Sequence, residues 1–149
     1  MNEQFMRAAI AAAQKAADMG EVPVGAVVVK NGQIIAVGFN RRESAKNALS
    51  HAETEAINNA CTALGSWRLE GCDLYVTLEP CPMCAGAILN ARISNVYFGA
   101  YDAKNGCCGS VCDLFSLPFT HKANAVGGFL ADECGALLSE FFKNLRQKG

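Results

Sequence analysis

The stretch "EPCPMC", Glu79 to Cys84, sets two thiols two residues apart and flanks the first with Pro80 and Pro82. Helical periodicity begins at Pro82, and proline suits the first position of a helix. Cys81 then becomes the N-cap and Cys84 the third helical residue. Their side chains converge on unpaired backbone amides at the positive end of the helix dipole, which lowers thiol pKa. A thiolate is the form a zinc ion binds. The two prolines stiffen the approach and reduce the entropy lost when the pair is fixed. Taken alone, the loop also fits a C-x-x-C redox pair or two buried thiols.

A further donor must come from elsewhere, and the chain has only two histidines, His51 and His121. His51 opens a second helix just as Cys81 opens its own. In "SHAE" the spacing Ser50-x-x-Glu53 is also a capping box, which would make Glu53 a partner for a backbone donor. If the two helix starts face each other across the end of one sheet, His51, Cys81 and Cys84 offer one nitrogen and two sulfurs. One tetrahedral position stays open, the pattern of a catalytic zinc, whereas structural sites take four protein ligands. Such an ion lowers the pKa of bound water toward about 7. Glu53 is not needed as a ligand and is free to take the proton and pass it on.

The elements that must position these residues follow from periodicity. Phe5, Met6, Ala9, Ile10, Ala13, Ala16 and Ala17 lie at helical spacing, with Gly20 where a C-cap falls. "VGAVVVK" (24–30) and "QIIAVGFN" (33–40), joined by Asn31-Gly32, form a hairpin, and the valine run predicts a strand covered on both faces. A helix over 51–65, a strand over 73–78, a helix over 82–92 and a strand over 95–100 follow. A short helix is expected around 110–116 and a fifth strand within 123–130. The closing helix, 131–147, offers Leu137, Leu138, Phe141, Phe142 and Leu145 as its buried side. Alternating strands and helices predict an α/β layer sandwich around one mixed sheet.

With 149 residues, 51% hydrophobic and 18% charged, the chain reads as one domain over 1–149; that length buries roughly 68–70% of the unfolded surface without disulfides. A formal net charge of −1 excludes a bulk electrostatic grip on nucleic acid but leaves room for a local basic patch. The N-terminal stretch lacks a secretory pattern, and no run reaches the ~18 apolar residues of a membrane helix. The eight cysteines are therefore expected to be reduced thiols in a cytoplasmic protein. Cys61, Cys72 and Cys134 suit buried positions. Cys107, Cys108 and Cys112 in "CCGSVC" are expected to be reduced thiols, a second metal site being the alternative.

The combination "HAE" with "PCPMC" resembles the zinc-dependent cytidine-deaminase-like superfamily. "GEVPVGAVVV", "GFNR", "LEGCDLYVTLEPCPMCAGAI", "FGAYDAKNGCCGS" and "LADECGALLSEFF" are similar to the bacterial tRNA-specific adenosine deaminases (the TadA family), across nearly the whole chain. The resemblance implies a three-layer cytidine-deaminase-like fold with a mixed five-stranded sheet flanked by helices. It implies one Zn2+ per subunit on His51, Cys81 and Cys84, with Glu53 shuttling protons. Zinc-activated hydroxide would attack C6 of a flipped-out wobble adenine in a tRNA anticodon stem-loop, giving inosine. Val24 matches the wall of the base pocket, and Asn40 a nucleoside contact. Asp102 and Lys104 match the segment that touches the anticodon loop, and Phe142 and Arg146 a further RNA-contacting region. Members act as homodimers; neither a membrane nor a DNA partner is expected. The rivals are a deaminase of free guanine, cytosine or a nucleoside, and a non-catalytic zinc module completed by a fourth ligand from Cys107, Cys108, Cys112 or His121.

One departure from that pattern is "NALS" (Asn47 to Ser50), where members usually carry Asp-Pro-Thr-Ala. Ser50 is expected to serve as N-cap in place of the lost rigidity. Arg41, Arg42, Lys46, Lys104, Lys143, Arg146 and Lys148 are candidates for a modest basic rim, with a weaker salt dependence than that of a duplex-DNA binder.

Overall fold

The computed structural model describes residues 1–148, with the side chain of Lys148 outside that description. Its elements are α1 (Glu3–Asp18), β1 (Gly25–Lys30), β2 (Gln33–Phe39), α2 (Ala52–Leu64), β3 (Cys72–Leu78), α3 (Pro82–Ala91), β4 (Asn95–Ala100), β5 (Asn124–Val126) and α4 (Ala131–Lys148). The strands form one mixed sheet in the order β2-β1-β3-β4-β5. β1 is antiparallel to both neighbours, while β3, β4 and β5 are parallel. This is the three-layer arrangement expected from the sequence. Because β1 reverses direction against each neighbour, β2 and β3 point the same way. The helices that follow them, α2 and α3, therefore both begin at one end of the sheet.

The valine run of β1 serves two cores. Ala26 and Val28 face α2 and α3 in a cluster with Ala52, Ala56, Ile88, Leu74 and Val76. Val27 and Val29 face the other layer, with Met6 and Ala9 of α1, Tyr75 and Cys134 of α4. Alternation across the pleat thus makes a continuous apolar run the correct pattern for a strand covered twice. The hairpin turns on Asn31 and Gly32, with φ of 52° and 74°, as two-residue primed turns require. Gly38 on β2 lets α2 approach closely, since a Cβ there would meet Ala52 O at 2.5 Å.

Several expectations need correction. The N-cap of α2 is His51, not Ser50, and the reciprocal bond runs from His51 N to Thr54 Oγ1 at 3.1 Å. Glu53 is therefore released from the capping role that Ser50-x-x-Glu53 suggested. The segment expected to hold a helix around 110–116 contains a single 3₁₀ turn, Leu114–Ser116. The fifth strand does lie within 123–130 as expected, three residues long and paired with the start of β4. On α4, Cys134 is buried while Leu137, Leu138 and Phe141 are half-buried. Phe142 and Leu145 are 41% and 55% exposed, in a stretch, 141–147, where no residue is buried. Cys61 is likewise half-buried, whereas Cys72 is buried as expected.

Candidate active site

The two helix starts meet. His51, Cys81 and Cys84 bring their donor atoms within 4.8 Å of one another, the only such group among the described residues. His51 Nδ1 lies 3.6 Å from Cys81 Sγ and 3.6 Å from Cys84 Sγ. Zinc bonds of about 2.3 Å to sulfur and about 2.0–2.1 Å to nitrogen, set at the tetrahedral angle, place those atoms about 3.6 Å apart. The donor set therefore fits one zinc ion. Cys81 caps α3 with extended backbone, φ −76° and ψ 175°, and Pro82 occupies the first helical position. Cys84 follows in the first turn, so backbone geometry alone converges the two sulfurs.

The electrostatics of the metal-free donors agree. Hydrogen bonding from the Cys84 thiol, with help from His51 and the Cys84 amide, holds Cys81 down at about 4 against desolvation. The same contact with Cys81, reinforced by burial, pushes Cys84 far above the ordinary thiol range. His51 is raised, chiefly by its bond to Cys81. One thiolate, one thiol and an imidazole thus share protons that a dication displaces on binding.

Glu53 stands in the first turn of α2 and is 4% exposed. Burial pushes its carboxyl up to about 7, with the Cys81 charge adding to the effect and its own amide and His51 opposing it. A carboxyl that gains and loses its proton near neutrality suits acid–base work.

These groups open onto a cleft of about 720 Å³, within the range of small-molecule sites. Val24, Asn40, Asp102, Lys104 and Phe142 all line it with His51, Glu53 and Cys81. Asn40 is positioned on both sides: its Nδ2 donates to Val22 O at 3.2 Å, and its Oδ1 accepts from Arg42 N at 3.2 Å. Arg146 lies outside the cleft, exposed one turn beyond Phe142 on α4. Arg42 and Lys104 are the basic residues among the lining groups.

The "NALS" segment keeps its shape without proline. The Asn47 side chain accepts from Leu49 N at 2.9 Å, and its carbonyl accepts from Ser50 N at 3.1 Å. That turn delivers His51 to the start of α2. Cys107, Cys108 and Cys112 form no metal-ligand group among the described residues. His121 bonds the backbone of Ile93, just before β4 and away from the donors. The fourth ligand that a structural zinc module needs is thus not assembled.

Two buried carboxylates escaped the sequence reading. Glu21 accepts from Glu43 N at 3.0 Å and Ser44 N at 2.6 Å, holding the loop after Asn40. Glu79, 2% exposed, gathers amides of the loop after β4. Glu79 follows β3 directly and Glu21 stands three residues beyond α1; their only sequence signal is an acidic residue beside apolar neighbours.

The fold and its His-Cys-Cys donor set define a zinc-binding deaminase. In agreement, the sequence model for the cytidine and deoxycytidylate deaminase zinc-binding region matches residues 1–100. The tRNA-specific adenosine deaminase of Bacillus subtilis (strain 168) is 53% identical over 148 residues, 99% of this chain and 92% of that one. A solved structure from work on A-to-I editing by tRNA:A34 deaminases superposes with a TM-score of 0.89 at 43% identity, covering 92% of this chain and 100% of that one. A guanine deaminase structure from Bacillus subtilis gives a TM-score of 0.64 at 33% identity, covering 80% of this chain and 88% of that one. The chain belongs to the zinc-binding deaminase family and, within it, to the tRNA-specific adenosine deaminases.

Proposed function

We propose that this protein hydrolytically deaminates the wobble adenosine of a tRNA anticodon to inosine. The carrying observation is the convergence of His51, Cys81 and Cys84 beside buried Glu53, at a cleft that the 101–105 loop also lines. The relatives named for tRNA adenosine deamination support the substrate.

Zinc, held by His51, Cys81 and Cys84, supplies when bound a Lewis acid that acidifies water for attack on adenine C6. Glu53 takes the proton of that water, delivers it to the ring nitrogen, and then assists the departure of ammonia. In the metal-free fold burial holds its carboxyl at about 7, and a carboxyl that is costly to ionise in this site suits a group that accepts and then donates a proton. Val24 walls the base pocket, and Asn40, held by Val22 and Arg42, presents its remaining amide hydrogen to the nucleoside. Reaching the target requires the base to leave its stack. Asp102, Lys104 and Phe142 border the cleft mouth where the flanking nucleotides would lie, with Arg146 one turn further along α4. The chain acts as one domain, in the cytoplasm. It acts as a homodimer, for which exposed Leu49, Val111, Leu117 and Phe119 offer apolar surface.

Incubation with an anticodon stem-loop, and separately with free guanine, cytosine and adenosine, tests the assignment. Inosine at the wobble position is expected from the stem-loop. Turnover confined to a free base would replace the proposal with the free-base reading. Sedimentation of the zinc-loaded protein tests the dimer, and a monomer at micromolar concentration would refute it.

A further inference from the structure

Glu79 follows β3 directly and stands two residues ahead of Cys81. Its carboxylate accepts four hydrogen bonds, all from the loop after β4. Asp102 N donates to Oε1 at 3.0 Å, and Cys108 N and Ser110 N donate to Oε2 at 3.0 Å each. Ser110 Oγ donates to Oε1 at 2.5 Å. Among the described residues no Lys or Arg side chain pairs with it, so loop amides and one hydroxyl satisfy the buried charge. Cys107 N reinforces the seam by donating to Pro80 O at 2.8 Å. Gly106 packs on the carboxyl group, where a Cβ would come within 2.5 Å of Oε2.

The first residues of this loop, Tyr101, Asp102, Ala103, Lys104 and Asn105, line the cleft together with Glu79 itself. Apart from the 3₁₀ turn and an isolated bridge between Cys108 and Asp113, residues 101–123 have no helix or strand to satisfy their amides. Buried amides need a partner; Gly106, Gly109 and Val111 find loop carbonyls, while the amides of Asp102, Cys108 and Ser110 all converge on one carboxylate.

We infer that Glu79 is a positioning residue that fixes the 101–110 loop relative to the zinc donors. One side chain thereby sets the distance between the reacting centre and the surface that holds the substrate's neighbouring nucleotides. This rests on the reading that the loop meets RNA. Without the tether the loop populates other conformations, and apparent affinity falls by the fraction still competent. Charged hydrogen bonds of this kind shift such populations on the order of tenfold or more.

The test uses zinc-loaded protein carrying Glu79→Gln, Gly106→Ala or Ser110→Ala. Gly106→Ala displaces the carboxylate without changing it, and Ser110→Ala deletes one of its four hydrogen bonds at an exposed residue, so the test does not depend on Glu79→Gln folding. The first readout is limited trypsin digestion followed by mass spectrometry. Cleavage after Lys104 is expected to rise on the order of tenfold in Gly106→Ala and Glu79→Gln, and less in Ser110→Ala. Cleavage after Lys15, inside α1, reports global unfolding and is expected to stay constant. The second readout is steady-state kinetics on the stem-loop, with KM raised on the order of tenfold and kcat within about twofold. Unchanged cleavage after Lys104, a rise only in step with Lys15, or a loss confined to kcat would overturn the inference. If the unmodified protein leaves the stem-loop untouched, the proposed function fails, and the trypsin readout still decides whether Glu79 holds the loop.

Discussion

Replacing Glu53 with glutamine separates catalysis from metal binding and from stability within one variant. The side chain keeps its volume in the buried first turn of α2, and His51, Cys81 and Cys84 are untouched, so one zinc per chain is expected to remain. Removing a positioned proton carrier costs about 10²–10⁴-fold in rate, and kcat is expected to fall by that much with KM little changed. Stability moves the other way. Burial raises this carboxyl from its ordinary 4.5 to about 7 in the metal-free fold. The folded state therefore holds the proton more tightly than the unfolded chain, and deprotonation destabilises it. The effect is absent below pH 4.5, grows through the interval up to 7, and reaches about 3 kcal/mol above it. Urea melts of zinc-stripped protein should show Glu53→Gln level with the unmodified chain near pH 4.5. At pH 8 the variant should be more stable, by up to about 3 kcal/mol. Metal analysis, stem-loop kinetics and these melts are the measurements. A rate loss below tenfold, loss of zinc, or equal stability at pH 8 would refute the assignment of Glu53.

Asn40→Ala removes the amide held by Val22 and Arg42; kcat/KM on the stem-loop is expected to fall about 10–100-fold, zinc content being unchanged. Gly38→Ala forces a Cβ against the α2 backbone at Ala52 and Ala56; a loss of about 1–3 kcal/mol in thermal melts is expected, with weaker zinc retention because α2 carries His51. Glu21 and Glu79 both titrate below the ordinary carboxylate value, since loop hydrogen bonds outweigh desolvation. Their stabilisation is complete above the unfolded value and is lost as pH falls through the lower folded value, so acid melts of Glu21→Gln and Glu79→Gln should converge on the unmodified chain only once pH has fallen below that depressed value. Few cationic side chains line the cleft, so log kcat/KM against log salt should slope no more steeply than about −3, four single-strand phosphate contacts accounting for that value.

Much of the catalytic centre was written in the sequence because its geometry is local. Pro82 places Cys81 and Cys84 in one helical turn, and periodicity alone puts His51 at the mouth of α2. The hairpin at Asn31-Gly32 and the twice-covered β1 are local in the same sense, each fixed by the residues that form it. Tertiary structure decided the rest. Only the double reversal at β1 aligns β2 with β3 and brings the two helix starts to one end of the sheet, at the separation a single ion fits. Only packing showed that Thr54 rather than Glu53 completes the cap, and that α4 leaves Phe142 and Leu145 exposed. Glu21 and Glu79 were invisible because a carboxylate satisfied by distant amides carries no periodic or motif signal. Their partners, 22 to 31 residues away, exist only once the loops have closed around them.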